Sequence, residues 1–214
     1  MIAIGLVLAA AGCGGDDAPE VDPDADQALV DAAVLALDDL PEGFVSETAD
    51  DRDEDGAADM CLEEQLDLTK QEFEAARTAR SDPMQFENET TSLRARVNAF
   101  ETVDIPGDVM DAFDGDDFLT CLGDGFEDDP DMEAQGVELT ELQALTPLVG
   151  DEATAYQVQL LFTVEGLEAE SVMTALLVDR FVVSVEASGL AGTIDEAVLA
   201  DALETMASRI EAAD

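Results

Sequence analysis

The chain has 214 residues, 47% of them hydrophobic, and sets 53 acidic residues against 8 basic ones for a formal charge of −45. That length suffices for one domain with a real core, and so apolar a composition excludes a wholly disordered chain. The charge repels nucleic acid and anionic lipid headgroups, so neither is expected as a partner.

From Ile2 to Ala11 the chain carries no charge, yet it falls short of the ~20 apolar residues that a hydrocarbon core demands. Its length suits a signal-peptide apolar region ahead of a small-residue cleavage site. Ala10-Ala11-Gly12-Cys13 resembles a bacterial lipobox, which implies cleavage before Cys13 and diacylglycerol on its sulfur. Ala10 stands where Leu is usual. No Lys or Arg precedes the apolar run, which points to a start upstream of Met1. A frayed N-terminus or a buried hydrophobic strand is the competing reading. The expected organisation is a signal peptide over 1–12, an acidic tether over 13–23 and a single domain over 24–214. No later stretch approaches an apolar 20-mer, so no transmembrane helix is expected. The protein is expected as a monomer outside the cytoplasmic membrane, held to its outer face through Cys13.

An acidic surface on a folded chain suits high salt, because at molar ionic strength the Debye length falls to about 3 Å and self-repulsion is screened. A halophilic or salt-tolerant source is therefore expected. If Cys13 is lipidated, Cys61 and Cys121 remain in a disulfide-permissive compartment and are expected to pair. Two buried free thiols are the alternative. A metal pair fits less well, since the chain has no His and no CxxC spacing.

In chain order, Asp24 to Asp39 reads as a first helix with Asp24 as cap and Leu29, Ala33, Ala36, Leu37 and Leu40 on one face. Leu40-Pro41-Glu42-Gly43 turns the chain, and Phe44 to Thr48 reads as a short strand. The acidic loop from Ala49 to Asp59 contains Asp51-x-Asp53-x-Asp55-Gly56, which opens like an EF-hand calcium loop. Its twelfth position is Leu62 rather than Glu, so a solvated acidic loop competes with a calcium site at Asp51, Asp53 and Asp55. Cys61 to Asp82 mixes weak helix signals with a strand signal near Phe73 to Ala79. Thr91 to Glu101 alternates as a half-buried strand. Its Arg94 and Arg96 share one face, where they suit either an anionic ligand or the protein's own carboxylates.

A helix is expected from about Asp104, with Pro106 as its first residue, interrupted at Gly115 and resuming to Leu122. That places Cys121 near the helix end. Val137 to Leu145 reads as a strand bulged at Glu141. Tyr156 to Val164 and Phe181 to Ser188 alternate, while Val172 to Val178 is apolar on both faces. Short connections at Gly166 and Asp179-Arg180 make these strands antiparallel. Thr193 to Glu196 has the capping-box pattern before a helix with Leu199, Leu203, Met206 and Ile210 as its buried stripe. The fold class is α+β: an antiparallel sheet of about five to six strands packed against N-terminal, middle and C-terminal helices.

This order of elements resembles a family of actinobacterial cell-envelope lipoproteins and sensor domains. The family includes the extracellular domain of some mycobacterial receptor serine/threonine kinases and lipoproteins with a PsbP-like α/β sandwich. The matching features are Leu40-Pro41-Glu42-Gly43-Phe44, the strand to Phe100 before the Cys121 helix, Leu148-Val149-Gly150-Asp151-Glu152-Ala153, and the closing amphipathic helix. The resemblance spans about Ala25 to Ala213. It implies ligand or partner binding at the cell surface, with no catalytic residue carried over. The kinase sensor domains carry two disulfides; this chain offers one pair.

An enzyme is disfavoured. Without His, the commonest general base and the partner of Ser or Cys nucleophiles are missing, and no G-x-S-x-G, P-loop or G-x-G-x-x-G occurs. A carboxylate-pair glycosidase fits the composition, but the chain has no Trp and one Tyr to line a sugar site. The expected function is a lipid-anchored, non-catalytic binding or sensor-like module for an unknown small-molecule or protein ligand, with no cofactor. Alternatives are a carrier of a lipid or other hydrophobic ligand in an internal cavity, a calcium-binding protein, or a structural envelope protein.

Overall fold

The protein is described by a computed structural model over residues 21–48, 61, 64–66, 68–113, 115–127, 132, 134, 136–150 and 154–213. Cys13 and the candidate calcium ligands Asp51, Asp53 and Asp55 lie outside these described residues. The helices are α1 (Pro23–Ala33), α2 (Lys70–Ala76), α3 (Asp104–Phe113), α4 (Asp116–Glu127) and α5 (Glu196–Glu211). The strands are β1 (Val45–Thr48), β2 (Arg77–Arg80), β3 (Met84–Glu87), β4 (Thr91–Phe100), β5 (Val137–Leu145), β6 (Ala155–Val164), β7 (Leu167–Val178) and β8 (Phe181–Leu190). No helix among the described residues is long and apolar enough to cross a membrane.

The strands form one antiparallel sheet in the order β1-β3-β4-β8-β7-β6-β5, with β2 paired to β4 as well. The class is α+β as the sequence predicts, but among the described residues the sheet holds eight strands rather than five to six. The additions are short. β3 has 4 residues, too few for an alternation to register. In the ambiguous segment, Thr69 caps α2 through a capping box with Glu72, and β2 follows directly on α2. Donors on Thr69 hold the Glu72 carboxyl below its ordinary range.

Other boundaries also shift for local reasons. The N-cap of α1 is Asp22, which accepts from the backbone of Asp24 and Ala25, and Pro23 is the first helical residue. The helix stops at Ala33 instead of continuing to Asp39. Asp39 then accepts from the Ala36 N–H at 2.7 Å and closes a 3-10 turn over Leu37–Asp39. That turn buries Leu35 and leaves Leu37 exposed. Pro106 is the third residue of α3, still in the first turn, where its missing N–H costs nothing. α4 runs past Leu122 to Glu127, so Cys121 sits mid-helix. Phe126 packing on Phe162 at 5.9 Å between ring centroids supports that extra length. The expected bulge is present, a register shift between Leu139 and Glu141.

The sheet is covered on both faces, by different means. One core joins Val30 of α1, Leu93, Ala95, Val97 and Ala99 of β4, Val183 and Val185 of β8, and the α5 stripe Leu199, Leu203, Met206 and Ile210. A second core joins Phe113, Phe118 and Leu122 of α3 and α4 to Val158 and Leu160 of β6 and to Cys61. β7 serves both: Val172 belongs to the first core, while its neighbour Met173 packs against the second. This double burial is why the sequence of β7 is apolar on both faces.

Candidate functional site

Where α5 begins, three short segments converge and leave a cleft of about 190 Å³. The first is the turn at Pro41 to Phe44. Gly43 takes φ +109 there, a left-handed conformation suited to glycine, and Phe44 packs against the aliphatic core. The second is the β3–β4 turn, where the Asn88 Oδ1 accepts from the N–H groups of Thr90 and Thr91, each at 2.9 Å. The third is Thr193 to Asp195. Here the Asp195 side chain, rather than the expected Thr193, caps α5 by accepting from the Ala197 N–H at 3.0 Å. The Thr193 hydroxyl instead donates to the Leu190 carbonyl at 2.8 Å.

Two features hold this corner together. Glu170 of β7 is 7% exposed. Its Oε1 accepts from the N–H groups of Gly192 and Ile194 at 3.1 and 3.2 Å, and its Oε2 accepts from Gln159 Nε2 at 3.3 Å. Gln159 in turn accepts from Gln143 Nε2 at 2.7 Å. A buried carboxylate is costly unless its oxygens are met in this way. Gly189 permits the close approach: a Cβ there would lie 2.6 Å from the Thr90 carbonyl oxygen and 2.8 Å from Thr193 Oγ1.

The cleft floor is apolar, with Leu93, Ala187 and Leu199 buried and Phe44 half-buried. Glu42 and Asp195 stand exposed on its rim. Such a site suits an apolar group of modest size with its polar end in water; sites for drug-sized ligands run to about 300–1,000 Å³. A second cavity, about 230 Å³, lies beside the end of β5 and the start of β6.

The other residues singled out by the sequence fall elsewhere. Cys61 and Cys121 are joined in a disulfide with Cα atoms 5.7 Å apart, inside the second core. Arg94 and Arg96 lie on the sheet face opposite α1 and α5, with Glu186 and Ser184 as their cross-strand partners. An acidic residue facing Arg94 in the register fits pairing within the protein better than capture of an anion. Among the described residues, no group of acidic or sulfur ligands is arranged to hold a metal.

One cluster escaped the sequence. Asp26 of α1, 4% exposed, receives both Arg180 terminal nitrogens, Nη1 at 2.8 Å and Nη2 at 2.5 Å, and the Thr78 hydroxyl. Arg180 Nη1 also donates to the Phe100 carbonyl at 2.7 Å. The Arg180 hydrogen bonds hold the Asp26 carboxyl below its ordinary range, against the opposing effect of burial and with help from Thr78. Position alone does not separate Asp26 from the other acids. The one available signal was a scarce arginine in a tight turn.

Together these features define an α+β domain with a mostly aliphatic, ion-paired half, a disulfide-braced half richer in aromatic rings and a small cleft at the last helix. No protein-family model and no curated protein matches the chain. Among solved structures it is similar to the extracellular domain of PknH from Mycobacterium tuberculosis, at 14% identity, over 87% of this chain and 96% of that one, with a TM-score of 0.46. A likeness at that level carries no inference about ligand or activity.

Proposed function

We propose that the protein is an extracytoplasmic, non-catalytic binding module, tethered to the outer face of the cytoplasmic membrane by lipid on Cys13, with the cleft at the start of α5 as its ligand site. The observation that carries the reading is the Cys61–Cys121 disulfide. Such bonds persist in oxidising compartments and are rare in a reducing cytosol. With these two cysteines joined, Cys13 is the remaining thiol, placed where an export signal would be cleaved. The acidic surface then faces the external medium, where high salt would screen its self-repulsion.

The apolar floor and exposed rim of the cleft support binding in preference to catalysis. Its volume of about 190 Å³ favours a small ligand over a complete diacyl lipid. Fractionation with mass spectrometry of the N-terminal peptide tests the tether. The expected result is a peptide that begins at Cys13 and carries acyl mass, with Cys13→Ala protein released to the soluble fraction. An unmodified N-terminus that includes Ala11 and Gly12 overturns it. For the cleft, Val198→Trp fills the space and is expected to abolish retention of any ligand that co-purifies with the native chain. Retention by that variant places the ligand elsewhere.

A further inference from the structure

β5 ends the strand order, and among the described residues it pairs only with β6. At 9 residues it is long for an edge that offers unpaired backbone N–H and C=O groups. Natural proteins shorten, charge, bulge or cover such edges. The first half of β5 has these protections: Glu138 and Glu141 are exposed, and the ladder shifts register between Leu139 and Glu141. The second half lacks them. Leu142 to Leu145 carry no charge and pair in unbroken register with Leu160 to Gln157. They run into the cavity of about 230 Å³, whose lining includes Ala144, Leu145, Pro147, Phe113 and Tyr156. The Phe113 and Tyr156 rings stack with centroids 3.8 Å apart, so one wall is a fixed aromatic surface.

We propose that β5 is a docking edge for an extended segment of a partner polypeptide. The segment adds as a further strand, sets basic residues against Glu138 and Glu141, and seats an aromatic side chain in the cavity beside Ala144. Main-chain bonds along the edge supply affinity, and the cavity with the two carboxylates supplies selectivity. The pleat makes both demands compatible. Glu141 pairs with Leu161 and Ala144 with Val158, residues three apart on β6 and so on opposite faces. An added strand meets both with a Lys or Arg three residues from its aromatic, about 10 Å along the chain. Charge complementarity selects the partner: the net charge of −45 attracts a basic segment and opposes a second copy of this chain.

The test is an amide chemical-shift titration of the full chain, at the lowest salt that leaves its circular dichroism unchanged. The probe is the capped peptide Lys-Thr-Lys-Thr-Val-Phe-Val, and the control carries Glu in place of both Lys. Shifts are expected at Val137 to Leu145 and at Tyr156. The Glu peptide should bind at least about tenfold more weakly, and the paired Glu138→Lys and Glu141→Lys variant, which leaves most of the net charge in place, should shrink that preference about threefold or more. Ala144 is exposed, so Ala144→Trp should fold normally, fill the cavity and weaken the Lys peptide about fivefold or more. Shifts scattered away from β5, or binding unchanged by Ala144→Trp, overturn the proposal. Sedimentation that finds a dimer of the free chain, broken by Ala144→Trp, overturns it in favour of self-pairing.

Discussion

The two faces of the sheet hold their helices by different chemistry. On one, α1 and α5 lie on a mostly aliphatic core, with Phe86 and Phe181 as its buried rings, and are fastened by charge: Asp26 to Arg180, and Arg209 of α5 to Asp39 at 2.6 Å and to the Val34 carbonyl at 3.1 Å. On the other, α3 and α4 pack through aromatic rings around Val158 and Leu160, and the Cys61–Cys121 bond ties α4 to the segment at Cys61. In a chain with only 8 basic residues, cationic anchors are scarce, and these two arginines serve the same face. The difference teaches where each half is vulnerable. The first should respond to pH, the second to reductant.

The largest expected effect is reductive. The bond closes a separation of 60 residues, which on chain-entropy reasoning is worth about 4 kcal/mol. Reduction, or the double substitution Cys61→Ala and Cys121→Ala, should lower the urea midpoint accordingly. Tyr156 is the sole tyrosine and there is no Trp, so intrinsic fluorescence reports on the aromatic half. That signal should change at lower urea than exchange protection of the β4 amides. Coincident loss of both would make the sheet one cooperative unit and dissolve the distinction between the faces.

Next comes the ion pair. Asp26→Asn leaves Arg180 in place without its charge partner. Removing one partner of a buried pair costs about 3–5 kcal/mol, and since the Arg180 side chain is 21% exposed the loss should sit at the low end, near 3. The sign with pH follows from the direction of the shift. The folded-state carboxyl of Asp26 lies below its ordinary value. Its contribution is therefore complete above the unfolded value of about 3.9 and is lost as pH falls through the folded value. Unfolding free energies of the parent chain and Asp26→Asn should differ by a constant amount near neutrality and converge only in strong acid. A gap that closes near pH 6 would place the effect in some other group.

The contrast between faces also explains what could be read from the sequence. The long strands and the α5 stripe were legible because burial on one side writes a period into the residues, as in Leu93, Ala95 and Val97 or Leu199, Leu203 and Ile210. β7 is legible only from Val172, because its first four residues include Glu168 and Glu170. The polarity of Glu170 has a tertiary cause, its bonds to Gly192 and Ile194, which no local pattern encodes. β3 is too short to write a period into its residues. α4 was cut short at Gly123 because its continuation depends on Phe126 meeting Phe162 across the sheet. The cleft was invisible for a similar reason: Phe44, Leu93 and Val198 come from three distant segments, and each alone reads as ordinary core.

The smallest expected effect tests how the cleft wall is fixed. Thr193 and Glu196 satisfy a capping-box pattern, yet Asp195 makes the cap while Thr193 bonds to Leu190. An N-cap Asp replaced by Ala costs about 1 kcal/mol, and the loss should be local. In Asp195→Ala the Ala197 amide loses its acceptor and should exchange faster, while Asp195→Asn, which keeps an acceptor oxygen, should behave nearly as the parent. Thr193→Ala should leave Ala197 protected, because its hydroxyl tightens the turn after β8 and not the helix. If Thr193→Ala instead exposes Ala197, the capping-box pattern governs the start of α5 after all, and the cleft wall is set by Thr193 as a unit with the helix. With Asp195 as cap, one carboxylate both ends the helix and stands on the cleft rim. Ala197 takes one acceptor site of that carboxylate, on Oδ1, and leaves others open, so Asp195→Asn, which keeps the cap but removes the charge, separates the order of the helix start from the charge on the rim.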